Sequence, residues 1–486
     1  MGKNIKELNP ALVWNFFHDL TQIPRPSKKE ERVADYITRF GKEKGLVTIV
    51  DNVGNVIIKK PATKGMEGRK TVLLQGHLDM VPQKNSDKSH DFENDPIEAY
   101  VDGDWVCARG TTLGADNGIG VAAALAVLAA EDLAHGPVEA LFTVDEESGM
   151  TGAFGLEPGK LDADIMLNMD SEDEGELYVG CAGGLDANIS FSYNEMPVPA
   201  DYSAFRLSVK GLKGGHSGLD IGMGRGNANK LLFRFLRNAV TEHEALLANV
   251  DGGGLRNAIP REASAIIVIP ASMEKSIVES ARTFLDIYRL EFSAVEPDLI
   301  LEVKKNGLPG TVIYPGTTER LVKAVIACPN GVIRMSNSMP GLVESSTNLA
   351  SVKSANGVIE IKCLMRSSVD SSRDEIAAMM ESLFSLAGAN IKFDGAYPGW
   401  KPNPDSGILE IMKNVYKALY GRIPEVKAIH AGLECGIIGG AYPKLDMISF
   451  GPTIKYPHSP DERVDILSVE KFWSFLVETL KNIPEK

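Results

Sequence analysis

The 486-residue chain has few cysteines, no cluster of basic residues and no long apolar run. Its five cysteines are dispersed and lack Cys-x-x-Cys spacing, which argues against a disulfide framework or a thiolate zinc site. The formal net charge of −14 disfavours nucleic acid or an anionic membrane as the main partner. The longest apolar stretch, residues 118–130, is shorter than the roughly 20 residues that cross a bilayer. A metal ion bound to this chain would therefore need histidine and carboxylate ligands.

The overall composition of the chain is that of an ordinary globular protein. Hydrophobic residues make up 44% of the chain and charged residues 24%. The first ten residues, MGKNIKELNP, contain no apolar signal core, so we expect a cytoplasmic protein with small-molecule partners. At about 150 residues per domain, the length predicts two or three domains.

Apolar segments of strand length alternate with helical segments over residues 1–186 and again over 397–486. This alternation predicts an α/β catalytic domain with a mostly parallel sheet flanked by helices. The alanine-rich segment after Asp116 is apolar on all sides and predicts a buried helix. The predicted strands are residues 71–75, 138–144, 165–169 and 447–450, and a further helix is predicted at 408–420.

The pattern changes over residues 187–396, where alternating strands and amphipathic helices predict a separate α+β unit. The catalytic domain would thus be split by an inserted lid domain. The predicted elements of the insertion are strands at 205–212, 263–270 and 358–364, and helices at 229–248 and 273–287.

Histidines and carboxylates directly follow several of the predicted strands. Open α/β sheets build their ligand sites at such strand ends. Two imidazoles and several carboxylates, without thiolate, are the ligands of hydrolytic zinc, cobalt or manganese sites. Converging acidic groups also need a cation as counter-charge. The residues concerned are His77, Asp79, Asp116, Glu146, Glu147, Asp170 and His458.

Each of these segments also has a purely structural explanation. The His-x-Asp pair in GHLDM could be a capped turn, and Asp116 could cap the helix that it precedes. The Glu-Glu pair and the acidic stretch DSEDEGE could be solvated surface, and His458 could lie in an exposed Ser-Pro turn. Their shared position at the strand ends of one predicted sheet favours the functional interpretation.

The order His-x-Asp, Gly-Ala-Asp-Asn-Gly, Glu-Glu, Asp and a late His resembles the co-catalytic zinc exopeptidase family that includes carnosinase, peptidase T, aminoacylase and glutamate carboxypeptidase. The resemblance implies a zinc exopeptidase-like catalytic domain, an inserted lid and two divalent metal ions per chain, with zinc preferred over cobalt or manganese. The motifs that carry it extend over nearly the whole chain and are LTQIPRPSKKE, QGHLDMVPQKN, LGADNGIG, TVDEESGMTGA, LKGGHSGLDI, RNAIPRE, YPGWKPNPDS, AIHAGLECG and FGPTIKYPHSPDER.

Carried over by position, the resemblance implies a role for each strand-end residue. His77 and Asp170 would hold one metal ion. Glu147 and His458 would hold the other, and Asp116 would bridge the two.

The resemblance also implies residues that act on the substrate. Glu146 would be the general base, and Asp79 would accept a hydrogen bond from the metal-bound imidazole and fix its tautomer. His216, Asn257 and Arg366 correspond to substrate-binding residues of the lid. Structural roles stay open for these three, since they could serve a tight turn, a turn cap and a surface ion pair.

The activity that the resemblance implies is hydrolysis of dipeptides, in particular Xaa-His dipeptides such as β-alanyl-histidine. A metal-dependent N-acyl amino acid deacylase or carboxypeptidase would use the same metals. A non-catalytic binding protein is disfavoured because Glu146 and the metal ligands are intact. His430 and Glu434 in HAGLECG are expected pocket residues without an assigned role, and a homodimer is expected.

Overall fold

The computed structural model describes residues 4–486 and divides into two compact units. The first unit contains the chain up to Gly180, Pro402–Ala428 and Leu433–Lys486, and the second contains Cys181–Lys401 and Ile429–Gly432. The short segment 429–432, which the sequence pattern placed with the catalytic domain, thus belongs to the second unit. Among residues 4–486, no helix combines the length and apolarity needed to cross a membrane.

The first part of the chain contributes strands and helices to the first unit. Its strands are β1 (Val47–Val50), β2 (Val56–Lys60), β3 (Val72–His77), β4 (Ala99–Asp102), β5 (Trp105–Ala108), β6 (Val138–Thr143), β7 (Ile165–Asn168) and β8 (Glu176–Cys181). Its helices are α1 (Ala11–Thr21), α2 (Glu31–Glu43), α3 (Ala115–Ala129), α4 (Glu146–Gly149) and α5 (Thr151–Gly155).

The middle of the chain forms the second unit. Its strands are β9 (Gly183–Ser192), β10 (Glu195–Pro197), β11 (Tyr202–Lys210), β12 (Gly215–His216), β13 (Leu246–Gly253), β14 (Ala258–Ile259), β15 (Ala263–Pro270), β16 (Ile300–Lys305), β17 (Thr311–Ile313), β18 (Gly331–Met335), β19 (Val343–Ala355), β20 (Val358–Ser367) and β21 (Asn390–Tyr397). Its helices are α6 (Ala228–Glu242), α7 (Glu274–Phe292), α8 (Pro315–Ala327) and α9 (Asp370–Leu386).

The last part of the chain returns to the first unit. Its strands are β22 (Glu425–Ile429), β23 (Asp446–Ser449), β24 (Ile454–Lys455) and β25 (Arg463–Asp465). Its helices are α10 (Gly407–Tyr420), α11 (Glu434–Ala441) and α12 (Ile466–Lys481).

The main sheet of the first unit has eight strands in the order β1-β2-β6-β3-β7-β23-β8-β22. Its central pairs, β6 with β3, β3 with β7 and β7 with β23, are parallel. The pairs on either side, β1 with β2, β2 with β6 and β23 with β8, are antiparallel. The α/β class is therefore confirmed, but the sheet is mixed and not mostly parallel, because the parallel pairs lie at its centre and antiparallel pairs flank them.

Burial explains why the central elements form. Every residue of β3, β6 and β7 is buried, as expected for parallel strands covered on both faces. The alanine-rich segment after Asp116 forms α3, and its residues from Asn117 to Leu128 are all buried. This helix carries Asp116 in its first turn.

The second unit is built on a nine-stranded sheet in the order β16-β11-β15-β13-β19-β20-β9-β21, with β18 paired to β19. The pairs β11 with β15, β13 with β15, β19 with β20 and β9 with β20 are antiparallel. Residues of α6 to α9 share one buried hydrophobic core with strands of this sheet. The expected α+β class of the insertion is thereby confirmed.

One predicted helix of the second unit was too long. The helical prediction for residues 229–248 fails after Glu242, because the chain enters strand β13 at Leu246. In β13, Leu247 and Val250 are fully buried, and the strand pairs with β15 and β19. Pairing with distant strands thus determines the structure of a segment whose local pattern favoured a helix.

Candidate metal centre

Four of the predicted residues, His77, Glu146, Glu147 and Asp170, lie at one end of the eight-stranded sheet. The expectation of a single sheet was wrong for Asp116 and His458, which follow strands β5 and β24 of a separate four-stranded sheet in the order β24-β25-β5-β4. His77 is the last residue of β3 and is paired with Thr143, the last residue of β6. Asp170 follows the end of β7 by two residues. The parallel strands therefore place these side chains beside the first turn of α3, which carries Asp116.

The first of two clusters joins His77, Asp116 and Asp170. His77 Nε2 lies 3.1 Å from Asp116 Oδ1 and 3.3 Å from Asp170 Oδ1. His77 Nδ1 lies 3.2 Å from the carbonyl oxygen of Asp79 and 3.3 Å from its Oδ1. A proton on Nδ1 satisfies the Asp79 contacts and leaves Nε2 as the ring nitrogen that can bind a metal ion.

The second cluster shares Asp116 with the first. His458 Nε2 lies 3.3 Å from Asp116 Oδ2 and 3.0 Å from Glu147 Oε2. His458 has a φ of 59°, in the left-handed region that residues with a Cβ adopt at a cost, and such strain is common at functional sites. The two oxygens of Asp116 consequently face different histidines, as a bridging ligand requires.

The donor atoms suit metal ions. The ligand atoms of each cluster lie within 4.8 Å of one another. Glu147 Oε1 is buried and forms no hydrogen bond with any described residue, although buried polar atoms are normally paired. Histidine and carboxylate ligands without thiolate match divalent zinc, cobalt or manganese. These residues therefore fit two metal ions that share one carboxylate.

Without bound metal ions, the pKa values of these residues reflect the close spacing of several charged side chains. Burial, together with the charges of Asp116 and Glu147, raises the pKa of Asp170 to about 6 despite the nearby His77. Hydrogen bonds to Asp116 and Glu147 raise the pKa of His458 to about 11. Protons on the histidines thus balance the carboxylates, and a bound cation would replace those protons.

Asp79 connects the two clusters. Its Oδ1 accepts a hydrogen bond from the Glu146 N–H at 3.0 Å, and its Oδ2 accepts from the Glu147 N–H at 3.1 Å and from Ser27 Oγ at 2.8 Å. Burial alone would raise its pKa, but these donors and His77 lower the pKa to about 2. One ionised carboxylate thereby orients both the imidazole of His77 and the peptide that carries the two glutamates.

Glu146 lies in the first turn of α4, half-buried, and its carboxylate is within 4.8 Å of ligand atoms of His77 and Glu147. Burial, and then the charges of Asp170, Glu434 and Glu147, hold its pKa well above the usual value, against the influence of His77. A carboxylate with an elevated pKa beside a metal site is suited to accept a proton from water.

Glu434 has defined partners in the first unit. Its Oε2 accepts hydrogen bonds from Gln75 Nε2 at 2.6 Å and from Thr143 Oγ1 at 2.8 Å. It is fully buried, and burial raises its pKa to about 7. Glu434 therefore contacts β3 and β6 near the ends where His77 and Thr143 lie.

In the second unit, His216 is held in one tautomer. Its Nδ1 accepts hydrogen bonds from the N–H groups of Gly218 at 3.2 Å and Leu219 at 3.1 Å. Burial and the charge of Arg366 lower its pKa, which favours the neutral ring. A neutral ring that accepts at Nδ1 carries its proton on Nε2 and presents a hydrogen-bond donor there.

Arg366 is only 6% exposed, and its Nε forms no hydrogen bond with residues 4–486. Its Nη1 donates to the Tyr397 hydroxyl at 3.1 Å. A Cβ on Gly184 would collide with the ring of Tyr397, so glycine is needed there for the ring to reach Arg366. A buried guanidinium with an unused donor is suited to bind an anion.

The remaining predicted residues of the second unit differ in burial. Asn257 is exposed, and its carbonyl oxygen accepts from the Ser217 N–H at 2.8 Å, next to His216. His430 is buried, with its Nε2 2.7 Å from Ser346 Oγ, and Ser346 pairs with Arg366 across β19 and β20. Burial and the charge of Arg366 lower the pKa of His430 to about 3.

Two charged residues of the first unit were missed by the sequence interpretation. Arg25 and Glu462 are each 2% exposed, and both contact the backbone that leads into Asp116. They occur in LTQIPRPSKKE and FGPTIKYPHSPDER, two of the motifs that carry the resemblance. Nothing local in either motif indicates these contacts.

Comparison with known proteins gives four informative matches. The family model described as peptidase family M20/M25/M40 matches residues 73–482. The chain is 48% identical over 482 residues to the cytosol non-specific dipeptidase of Escherichia coli (strain K12), covering 99% of each protein. It is 50% identical to the solved structure of aminoacylhistidine dipeptidase from Vibrio alginolyticus, with a TM-score of 0.96 and coverage of 100% and 99%. Aminopeptidase PepT from Bacillus cereus ATCC 10987, 16% identical with a TM-score of 0.58 and coverage of 98% and 99%, shares the fold.

Proposed function

The chain belongs to peptidase family M20/M25/M40 and is a peptide-bond hydrolase, and we propose that it is a dinuclear metallo-dipeptidase. The observation that carries this proposal is the position of Asp116. Its two carboxylate oxygens face His77 on one side and His458 on the other, at 3.1 and 3.3 Å. A carboxylate shared in this way suits two metal ions that act on one substrate.

We assign the proposed ligands from the two clusters. His77 and Asp170 would hold one ion. Glu147 and His458 would hold the other, with Asp116 bound to both. Zinc is our first choice, and cobalt and manganese accept the same ligands. When bound, such ions lower the pKa of a coordinated water and polarise the carbonyl of the scissile bond.

In the proposed mechanism, Glu146 removes the proton of the attacking water and returns it to the leaving amine. Asp79 accepts hydrogen bonds from the N–H groups of Glu146 and Glu147 and so orients the proposed general base, Glu146. For substrate binding we propose Arg366 for the carboxylate, His216 Nε2–H for a carbonyl oxygen, and Asn257 as a further polar contact.

The substrate class follows from the need to recognise both ends of a short peptide. We propose Xaa-His dipeptides, including β-alanyl-histidine, within a wider range of dipeptides. The names of the two similar proteins support this proposal. The aminoacylhistidine dipeptidase supports the Xaa-His preference, and the non-specific dipeptidase supports the wider range of dipeptides. The word cytosol in the name of the E. coli relative also supports a cytoplasmic location. The expected homodimer remains part of the proposal and can be tested by sedimentation.

A substrate panel tests the proposed function. The protein is saturated with zinc and assayed with β-alanyl-histidine, other dipeptides, tripeptides and N-acetyl amino acids. We expect the highest kcat/KM among the dipeptides. A preference for N-acetyl amino acids would identify a deacylase, and a preference for longer peptides would identify a carboxypeptidase. No hydrolysis of any compound would identify a binding protein.

The change Arg366→Ala is expected to weaken the binding of dipeptides with a free carboxylate. A lost hydrogen bond between charged groups costs about 1.5–3 kcal/mol, so KM should rise roughly 10- to 150-fold. The same dipeptides amidated at the C-terminus should change little. Arg282→Ala, which removes an exposed arginine of α7, is the matched control. An equal effect on free and amidated dipeptides would contradict the assignment.

A further inference from the structure

The turn that leads into Asp116 is held by a single carboxylate. Glu462 Oε2 accepts hydrogen bonds from the N–H groups of Leu113 at 2.7 Å and Gly114 at 3.0 Å. Its Oε1 accepts from those of Ala115 at 2.7 Å and Asp116 at 3.2 Å. These donors lie at the start of α3, where N–H groups have no partner within the helix and attract negative charge.

The same turn is held from its carbonyl side by a guanidinium. Arg25 Nη2 donates to the Gly114 carbonyl at 2.5 Å, and Arg25 Nη1 donates to the carbonyls of Leu78 at 2.8 Å and Asp79 at 2.9 Å. Arg25 therefore connects the segment that follows His77 to the turn that precedes Asp116.

Glycines make room for this guanidinium. A Cβ on Gly114 would lie 2.6 Å from Arg25 Nη2, and a Cβ on Gly118 would lie 2.7 Å from the same atom. Gly114 also has a φ of 70°, a conformation that glycine adopts without strain. The motif LGADNGIG thus leaves room for the guanidinium of Arg25.

The position of Glu462 in the chain relates these contacts to the metal centre. It lies four residues after His458, in the same connection between β24 and β25. Its four hydrogen bonds therefore fix the loop of one proposed ligand against the turn of another. Arg25 does the same for His77 and Asp116, because it contacts both of their segments.

We propose that Arg25 and Glu462 are positioning residues that hold His77, Asp116 and His458 at the spacing required by two metal ions. This inference rests on the proposed metal centre. Neither side chain is a ligand in it. Each acts through backbone groups next to the ligands, and partners of metal ligands typically contribute 10- to 100-fold in metal affinity.

Metal binding by Glu462→Gln tests the proposal. The amide keeps the shape of the carboxylate but has one acceptor oxygen, so part of the N–H contacts is lost. We expect zinc affinity, measured by competition with a fluorescent chelator, to fall roughly 10- to 100-fold for both ions, with the fold retained by circular dichroism. Excess zinc should restore kcat with KM unchanged, which a general structural defect would not allow. Glu470→Gln, an exposed glutamate of α12, is the control.

Arg25→Lys provides a second variant on the opposite side of the turn. Lysine keeps the charge but cannot reach three carbonyls with a planar fork, so the same loss of zinc affinity is expected. Normal zinc affinity in both folded variants would overturn the proposal, as would failure of both to fold, because the pair would then serve stability. An absence of zinc binding by the unchanged protein would instead refute the proposed function.

Discussion

Replacement of Glu146 by glutamine is expected to abolish nearly all dipeptide hydrolysis while both metal ions stay bound. The amide occupies the space of the carboxylate but cannot take a proton from water. General-base catalysis contributes typically 10²- to 10⁴-fold, so we expect kcat to fall by about that factor with KM nearly unchanged. Steady-state kinetics and metal analysis by mass spectrometry on the same sample measure both quantities.

The control for this experiment is Glu157→Gln, which changes an exposed glutamate of the first unit. It should have normal kinetics and metal content. Near-normal turnover by Glu146→Gln would assign the base to another residue. Loss of metal from Glu146→Gln would show instead that Glu146 is a ligand, since His77, Glu146 and Glu147 also form a group within 4.8 Å.

The change Asp116→Asn is expected to remove both metal ions together. The carboxylate faces both histidines, and a neutral amide cannot balance the charge of two cations. Metal affinity should fall by more than the roughly 10- to 100-fold typical of a residue that only supports a ligand. Hydrolysis should be lost with it, and metal content after dialysis measures the effect.

The metal-free protein gives a second readout for this variant. His77 and His458 hold the pKa of Asp116 well below its usual value, so its neutralisation should lower the thermal stability of the metal-free chain modestly, with the fold retained. Asp102→Asn, at the exposed end of β4, is the matched control. Two ions bound with normal affinity in Asp116→Asn would refute the bridging role.

The strand-end residues could be identified from the sequence because their signals are local. His77 ends one short, fully buried strand and Asp170 follows another, and parallel strands end at a common edge. The pairing of His77 with Thr143 then follows from the sheet itself. The resemblance added the role proposed for each residue.

Contacts between distant segments could not be predicted in the same way. Glu462 is separated by 346 residues from Asp116, and Arg25 by 89 residues from Gly114. Neither local pattern specifies a backbone partner. The prediction of a helix through residue 248 failed for a related reason, because the pairing of β13 with β15 and β19 outweighs local helix preference.

The most direct test of a dinuclear dipeptidase is a zinc titration of the chelator-treated protein. Bound zinc per chain and the rate of β-alanyl-histidine hydrolysis are followed in the same samples. Two clusters of candidate ligands share Asp116, so we expect no hydrolysis by the metal-free chain and full activity at two zinc ions per chain. Full activity of the metal-free chain, or a maximum at one ion per chain, would contradict this account.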